Sequence, residues 1–132
     1  MTEPRVELRY ATLRVDDGLV YVRVRTGARV TLGDAQDTLA SHQTANGGLG
    51  KWPWLVDLRG IVAVEAAARK YFAGAETAKA TSALALLLGS PVSRVIGNFM
   101  LGINKPIFPT KVFTSEAEAL AWLQSFRPEA TP

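Results

Sequence analysis

Asp57 and Arg59 flank a leucine at the end of an apolar run, KWPWLVDLRG, where a strand hands over to a helix. In α/β sheets that edge is where ligands and partners bind. Glu65 and Arg69 follow on an alanine-rich helix, and Ser90, Arg94, Asn98, Phe99 and Met100 lie on a later one. Such a set can recognise a charged or apolar partner. It lacks the spacing of a catalytic centre. There is no Gly-x-Ser-x-Gly, P-loop, Gly-x-Gly-x-x-Gly or His-Glu-x-x-His motif. The paired carboxylates, Asp16-Asp17 and Glu116/Glu118, are explained by a turn and a helix start. The single histidine, His42, has no partner nearby in sequence and is expected to cap a helix or sit in solvent. Without cysteine there is no thiolate metal site and no disulfide. We expect no enzyme activity, no metal and no cofactor.

The elements that position these residues follow in order. Residues 5–25 read as an antiparallel hairpin with one buried face: Val6, Leu8 and Tyr10 alternate with charged residues, Asp16-Asp17-Gly18 turns, and Val20, Val22 and Val24 return. Thr31 caps a first helix, with Asp34 near its positive end and Leu32, Ala35, Leu39 and His42 along one stripe. Asn46–Gly50 is a glycine-rich loop. Trp54–Leu58 is a strand buried on both faces. Its helix points Ala67, Ala68, Tyr71 and Phe72 inward, Arg69 and Lys70 outward, and closes at Gly74.

Ser82–Leu88 is a second parallel strand. Ser90 caps the next helix, with Pro91 at its first position, so Ser90 reads as structural. That helix buries Val92, Val95, Ile96 and Phe99 and ends near Gly102. Asn104–Pro109 is an extended connector, Lys111–Phe113 a last strand, and Ser115 with Glu118 the capping box of a helix that buries Leu120, Leu123 and Trp122. The order β-β-α-β-α-β-α-β-α predicts an α/β fold: an N-terminal hairpin, then β-α units whose helices pack on a mostly parallel sheet.

The 132 residues suit one domain spanning 1–132, with a core over about 5–126 and a loose tail at 127–132. No apolar run nears the roughly 18 residues of a membrane helix. The N-terminus has no apolar signal region, so a cytoplasmic protein is expected. The net charge is +3. Arg5, Arg9, Arg14, Arg23, Arg25 and Arg29 crowd the first thirty residues but alternate with apolar ones, which reads as a solvated hairpin face and not a nucleic-acid surface.

The turn and helix Gly89-Ser90-Pro91…Arg94-Val95, the cap Phe113-Thr114-Ser115 and the close Glu118-Ala119-Leu120 resemble the C-terminal half of STAS domains. This is the fold of sulfate-transporter and anti-sigma-factor-antagonist domains. The resemblance covers the whole element order and is closest to the SpoIIAA-like branch, part of which is similar in topology to CRAL-TRIO lipid carriers. In signalling members a strand ending in Asp precedes a helix opening Asp-Ser-Ser-Gly, where a kinase phosphorylates one serine and breaks a complex. Asp57-Leu58 and Gly60 match that strand end. Glu65, Ala66 and Ala67 stand where the family has Asp and serine, so the resemblance implies no phosphorylation at that position.

Two functions follow as expectations. One is a non-enzymatic, regulatory interaction domain, binding itself as a homodimer or another protein through the Asp57–Arg69 edge and the Ser90–Asn98 helix. The other is a carrier or sensor of a small apolar molecule or lipid. Asn98–Pro109 bears on both, because Phe99, Met100, Leu101, Ile103, Ile107 and Phe108 cannot all face one core. A carrier needs a closed apolar cavity of roughly a few hundred cubic ångströms. An interaction domain needs a filled core and an exposed apolar patch.

Overall fold

The structure is a computed structural model describing residues 5–16, 18–45 and 50–126. Its centre is a six-stranded sheet built from β1 (Arg5–Glu7), β2 (Ala11–Asp16), β3 (Leu19–Val24), β5 (Trp52–Asp57), β7 (Thr81–Leu87) and β8 (Thr110–Phe113), in the order β1-β2-β3-β5-β7-β8. β1, β2 and β3 pair antiparallel, and β3, β5, β7 and β8 run parallel. Two short strands, β4 (Arg29–Val30) and β6 (Ala63–Val64), pair separately. The helices are α1 (Leu32–Ala45), α2 (Ala66–Ala73), α3 (Ala75–Ala78), α4 (Pro91–Phe99) and α5 (Glu116–Leu123). A π-helical turn, Met100–Asn104, extends α4, and a 3₁₀ turn, Gln124–Phe126, extends α5.

The period of two in the strands sends alternate residues to two cores. Leu13, Val22, Trp54, Leu84 and Leu86 meet α1, α2 and α4 in the larger one. Leu19, Tyr21, Leu55, Ala83, Ala85 and Leu87 meet Ala119 and Leu123 of α5 in the smaller. β5 and β7 are therefore buried on both faces, as their unbroken apolar runs require. Pro53 sits near the start of β5, beside a register shift with β7 and before the first residue paired with β3, where a proline is tolerated. Gly60, at the exit of β5, lies so close to the Thr26 backbone that a Cβ would approach it to 2.7 Å. That contact seats the β5 exit against the turn after β3.

The expected hairpin differs in two ways. Its first strand divides: Leu8 N–H bonds to Ala11 C=O at 2.7 Å, folding β1 back onto β2. β3 is also buried on both faces, because α5 reaches over Leu19 and Tyr21. Asp17, Asn46–Leu49 and the tail from Arg127 lie outside the described residues. β5 runs from Trp52 to Asp57, two residues earlier at its start and one at its end than the expected Trp54–Leu58. β4, β6, α3 and the π turn had no sequence signature. The π turn takes in Asn104, which shortens the expected connector.

The caps are mostly as the residue types imply. Thr31 and Asp34 exchange bonds, Asp34 N–H to Thr31 Oγ1 at 3.2 Å and Thr31 N–H to Asp34 Oδ2 at 2.9 Å. Ser90 Oγ accepts from Ser93 N–H at 3.0 Å, and Ser93 Oγ accepts from Ser90 N–H at 2.9 Å. Ser115 accepts from Glu118 N–H at 3.3 Å. There the bond runs one way, so the expected capping box is half formed.

His42 contradicts its expected place in solvent or at a cap. It is 0% exposed, edge-on to Trp52 and Trp54 with ring centroids 5.8 and 4.8 Å away. Burial lowers its pKa from 6.5 to about 4. Between those values the unfolded chain binds a proton that the folded chain refuses, so stability falls as pH drops from 6.5 towards 4. The loss approaches about 3 kcal/mol. Urea unfolding of wild type and His42→Leu should therefore differ by a constant above pH 6.5, and wild type should lose ground steadily below it.

Candidate functional site

The parallel strands deliver their C-terminal ends to one edge, and there Asp57 turns its side chain to the α5 face. Asp57 as a whole is 4% exposed. Arg59 clasps it with Nε at 3.0 Å from Oδ1 and a terminal nitrogen 2.8 Å from Oδ2, and its backbone N–H adds a third bond at 3.0 Å. Arg23, from β3, stands 3.7 Å away. Burial pushes the Asp57 carboxyl up, but the Arg59 bonds and the two positive charges outweigh it and hold the pKa below 3.8. Arg59 packs across Gly89, where a Cβ would come within 2.8 Å of its Cγ, and reaches Glu116 at 3.9 Å. Tyr21 donates its hydroxyl to that same Glu116. Burial first, then this bond to a carboxylate, raises the Tyr21 pKa.

Tyr21, Arg23 and Glu116 thus join Asp57 and Arg59 of the expected residues at this edge. Their signal lies in the sheet register, which sets Arg23 beside Asp57, and not in the local sequence. Most of the other N-terminal arginines are engaged locally as well: Arg5 with Glu7, Arg9 with Asp34 and the Arg29 carbonyl, Arg25 with Glu7 and the Leu8 carbonyl, Arg14 over the Tyr21 ring.

Arg69 and Phe99 meet on the opposite face of the sheet, so the expected residues form two groups and not one edge. Arg69 was expected to point outward. It is half-buried, donates to the Val64 carbonyl at 3.1 Å, and lies 5.0 Å above the Phe99 ring. Ala67, expected inward, is exposed together with Ala66 at the start of α2. Glu65 accepts a bond from Leu32 N–H at 2.8 Å. It caps α1 from a distance, a long-range tie with no local signal.

The α4 stripe keeps Ile96 of the expected inward set and turns Val92, Val95 and Phe99 out. Ser93, Ile96, Gly97 and Met100 face the core, and Val92, Val95 and Phe99 face out. Gly97 is the physical reason: a Cβ there would come within 2.9 Å of Leu88, so this side of the helix alone approaches the sheet closely enough. Met100 is 5% exposed and belongs to the core, not to a contact surface. Val95 at 53% and Ile103 at 66% continue the outer stripe, with Leu101 beside it and Ile107 in the following connector. Arg94 and Asn98 are exposed on the same helix, and Ser90 is held in its cap.

Beneath α2 and α4 an apolar cavity of about 60 Å³ opens towards the surface. It falls well short of the few hundred cubic ångströms expected of a lipid carrier.

A family model described as a domain of unknown function, DUF7793, matches residues 13–127. The chain belongs to that family. Among curated proteins none matches it. Among solved structures it is similar to an uncharacterized protein of the DUF3478 family with a SpoIIAA-like fold, from Shewanella loihica PV-4. The two share 14% identity over 92% of each chain, with a TM-score of 0.56. The SpoIIAA-like α/β fold expected from the resemblance is thereby shown. No helix among the described residues is long and apolar enough to cross a membrane.

Asp57→Asn tests the clasp. It removes the charge that Arg59 and Arg23 share while keeping the shape. Because Arg59 is half-exposed, we expect urea unfolding to show a loss of about 1–3 kcal/mol. The folded pKa lies below 3.8, so the full difference persists above that pH and shrinks as pH falls through the folded value.

Proposed function

We propose that this domain is a non-enzymatic interaction module that binds a protein partner, a second copy of the chain included, through the outer face of α4. The observation that carries the reading is the stripe Val92, Val95, Phe99 and Ile103, exposed along one side of a helix whose other side is already packed. Spacing of three and four residues puts such side chains in a row that a partner helix or groove can cover. Contiguous exposed apolar surface on a helix is characteristic of interaction sites.

Arg94 and Asn98 border the stripe and supply a polar rim. Among the described residues Arg94 has no ion-pair partner, which leaves its guanidinium available to an acidic group. Ala66 and Ala67 open α2 without a hydroxyl, so binding at α4 is not governed by phosphate at that position. Regulation would act through occupancy of the surface itself.

Site-specific photocrosslinking tests the proposal. A benzophenone side chain replaces Val95, Ile103 or, as a control, exposed Lys79 of α3. Illumination in the native host should give the same discrete protein adduct from positions 95 and 103 and none from 79. An absence of adducts at 95 and 103, or an equal pattern at 79, would overturn the reading.

A further inference from the structure

Val56 lies at the middle of β5, paired on both sides by β3 and β7, yet it is not fully buried. A central strand residue on the face covered by three helices keeps accessible surface only if the helices leave a gap above it. That gap is the cavity of about 60 Å³. Its walls are apolar apart from a few groups: Tyr10 and Thr38, which bond to each other, Thr77, bonded to the Tyr71 carbonyl, Thr81 and Arg69. The last two have unmet polar atoms. Thr81 Oγ1 is in a residue 2% exposed, and Arg69 Nε is buried; neither has a hydrogen-bond partner among the described residues.

Buried polar atoms are ordinarily paired, and a partly buried cation ordinarily faces a carboxylate. Arg69 has neither an acidic partner among the described residues nor a second acceptor beyond the Val64 carbonyl. It borders the cavity together with the half-buried Val64 and Phe72. An anionic group with a short apolar body would complete this arrangement. The volume limits that body. It is less than half of the roughly 150 Å³ that accommodates benzene, which leaves room for a chain of a few carbons.

We propose that the cavity between α2, α4 and β5 is a binding site for a short-chain aliphatic carboxylate, with its carboxylate on Arg69 and its alkyl chain over Val56. A guanidinium suits a carboxylate because its N–H groups match the two oxygens in geometry and charge. The proposal does not depend on the α4 surface binding a protein.

The test is a titration of the uniformly ¹⁵N-labelled protein with sodium butyrate, followed through amide shifts at constant pH and ionic strength. Butan-1-ol and sodium octanoate are run as separate probes. Butyrate should give saturable shifts at Val56, Arg69 and Leu84. Butanol, which lacks the charge, should bind about tenfold more weakly, the scale of one charge-assisted bond. Octanoate should bind no tighter than butyrate. Arg69→Gln should lose about tenfold for butyrate and little for butanol. The proposal is overturned by non-saturable shifts with every probe, by equal binding of butanol and butyrate, or by octanoate binding much more tightly. Should Arg69→Gln fail to fold, the comparison of butyrate with butanol in the unaltered protein decides the same point.

Discussion

β5 carries a layer on each face, and nearly everything else in the molecule follows from that burden. A strand with both faces buried cannot alternate apolar and polar residues, so its side chains are apolar until it leaves the sheet. The first polar group it can present is the one at its end, Asp57. There the carboxylate is still under the edge of α5, and a buried charge demands partners. Arg59, two residues on, supplies most of the compensation, and Gly89 leaves room for its stem. The charged edge is thus a consequence of ending a doubly covered strand.

The two helical layers are unequal. The α5 side closes over a compact cluster tied down by Phe113, Trp122 and Phe126. The other side must cover the same strands with α1, α2 and α4, and Gly97 lets α4 settle deeply at one end. The helix then has no further use for its outer valines and phenylalanine, while the gap over Val56 remains. One deep contact accounts for both features: an apolar stripe turned outward and a small cavity beneath. Arg69 touches both, lining the cavity and lying over Phe99. Arg69 is thus an α2 side chain that borders the cavity and also meets the outer stripe.

Much of the architecture was legible in the residues because strong local rules fixed it. The apolar runs at 52–58 and 82–88, the Ser90-Pro91 start and the glycine ends gave element order and sheet class. What escaped depends on distance in sequence. Whether Val95 or Ile96 faces inward is settled by Gly97 meeting Leu88, which no period-3.6 count includes. His42 lies on the stripe of α1, but its burial requires Trp52 and Trp54 from β5, a different element. The partners of Asp57 were half visible, Arg59 by adjacency and Arg23 and Glu116 only through the sheet order. Glu65 stands at the start of α2 as its position implies, but its carboxylate bonds to the start of α1.

The division of α4 into an inner face that holds the fold and an outer face that the fold does not use is the central claim. Urea unfolding of Val95→Lys beside Ile96→Lys tests it in adjacent residues of the same helix. We predict that Val95→Lys changes the unfolding free energy by no more than about 0.5 kcal/mol, as an exposed substitution does. Ile96→Lys should cost several kcal/mol or abolish folding, because it forces a charge into the packed core. A loss at Val95 comparable to that at Ile96 would place both faces of the helix in the core and leave no surface there for a partner.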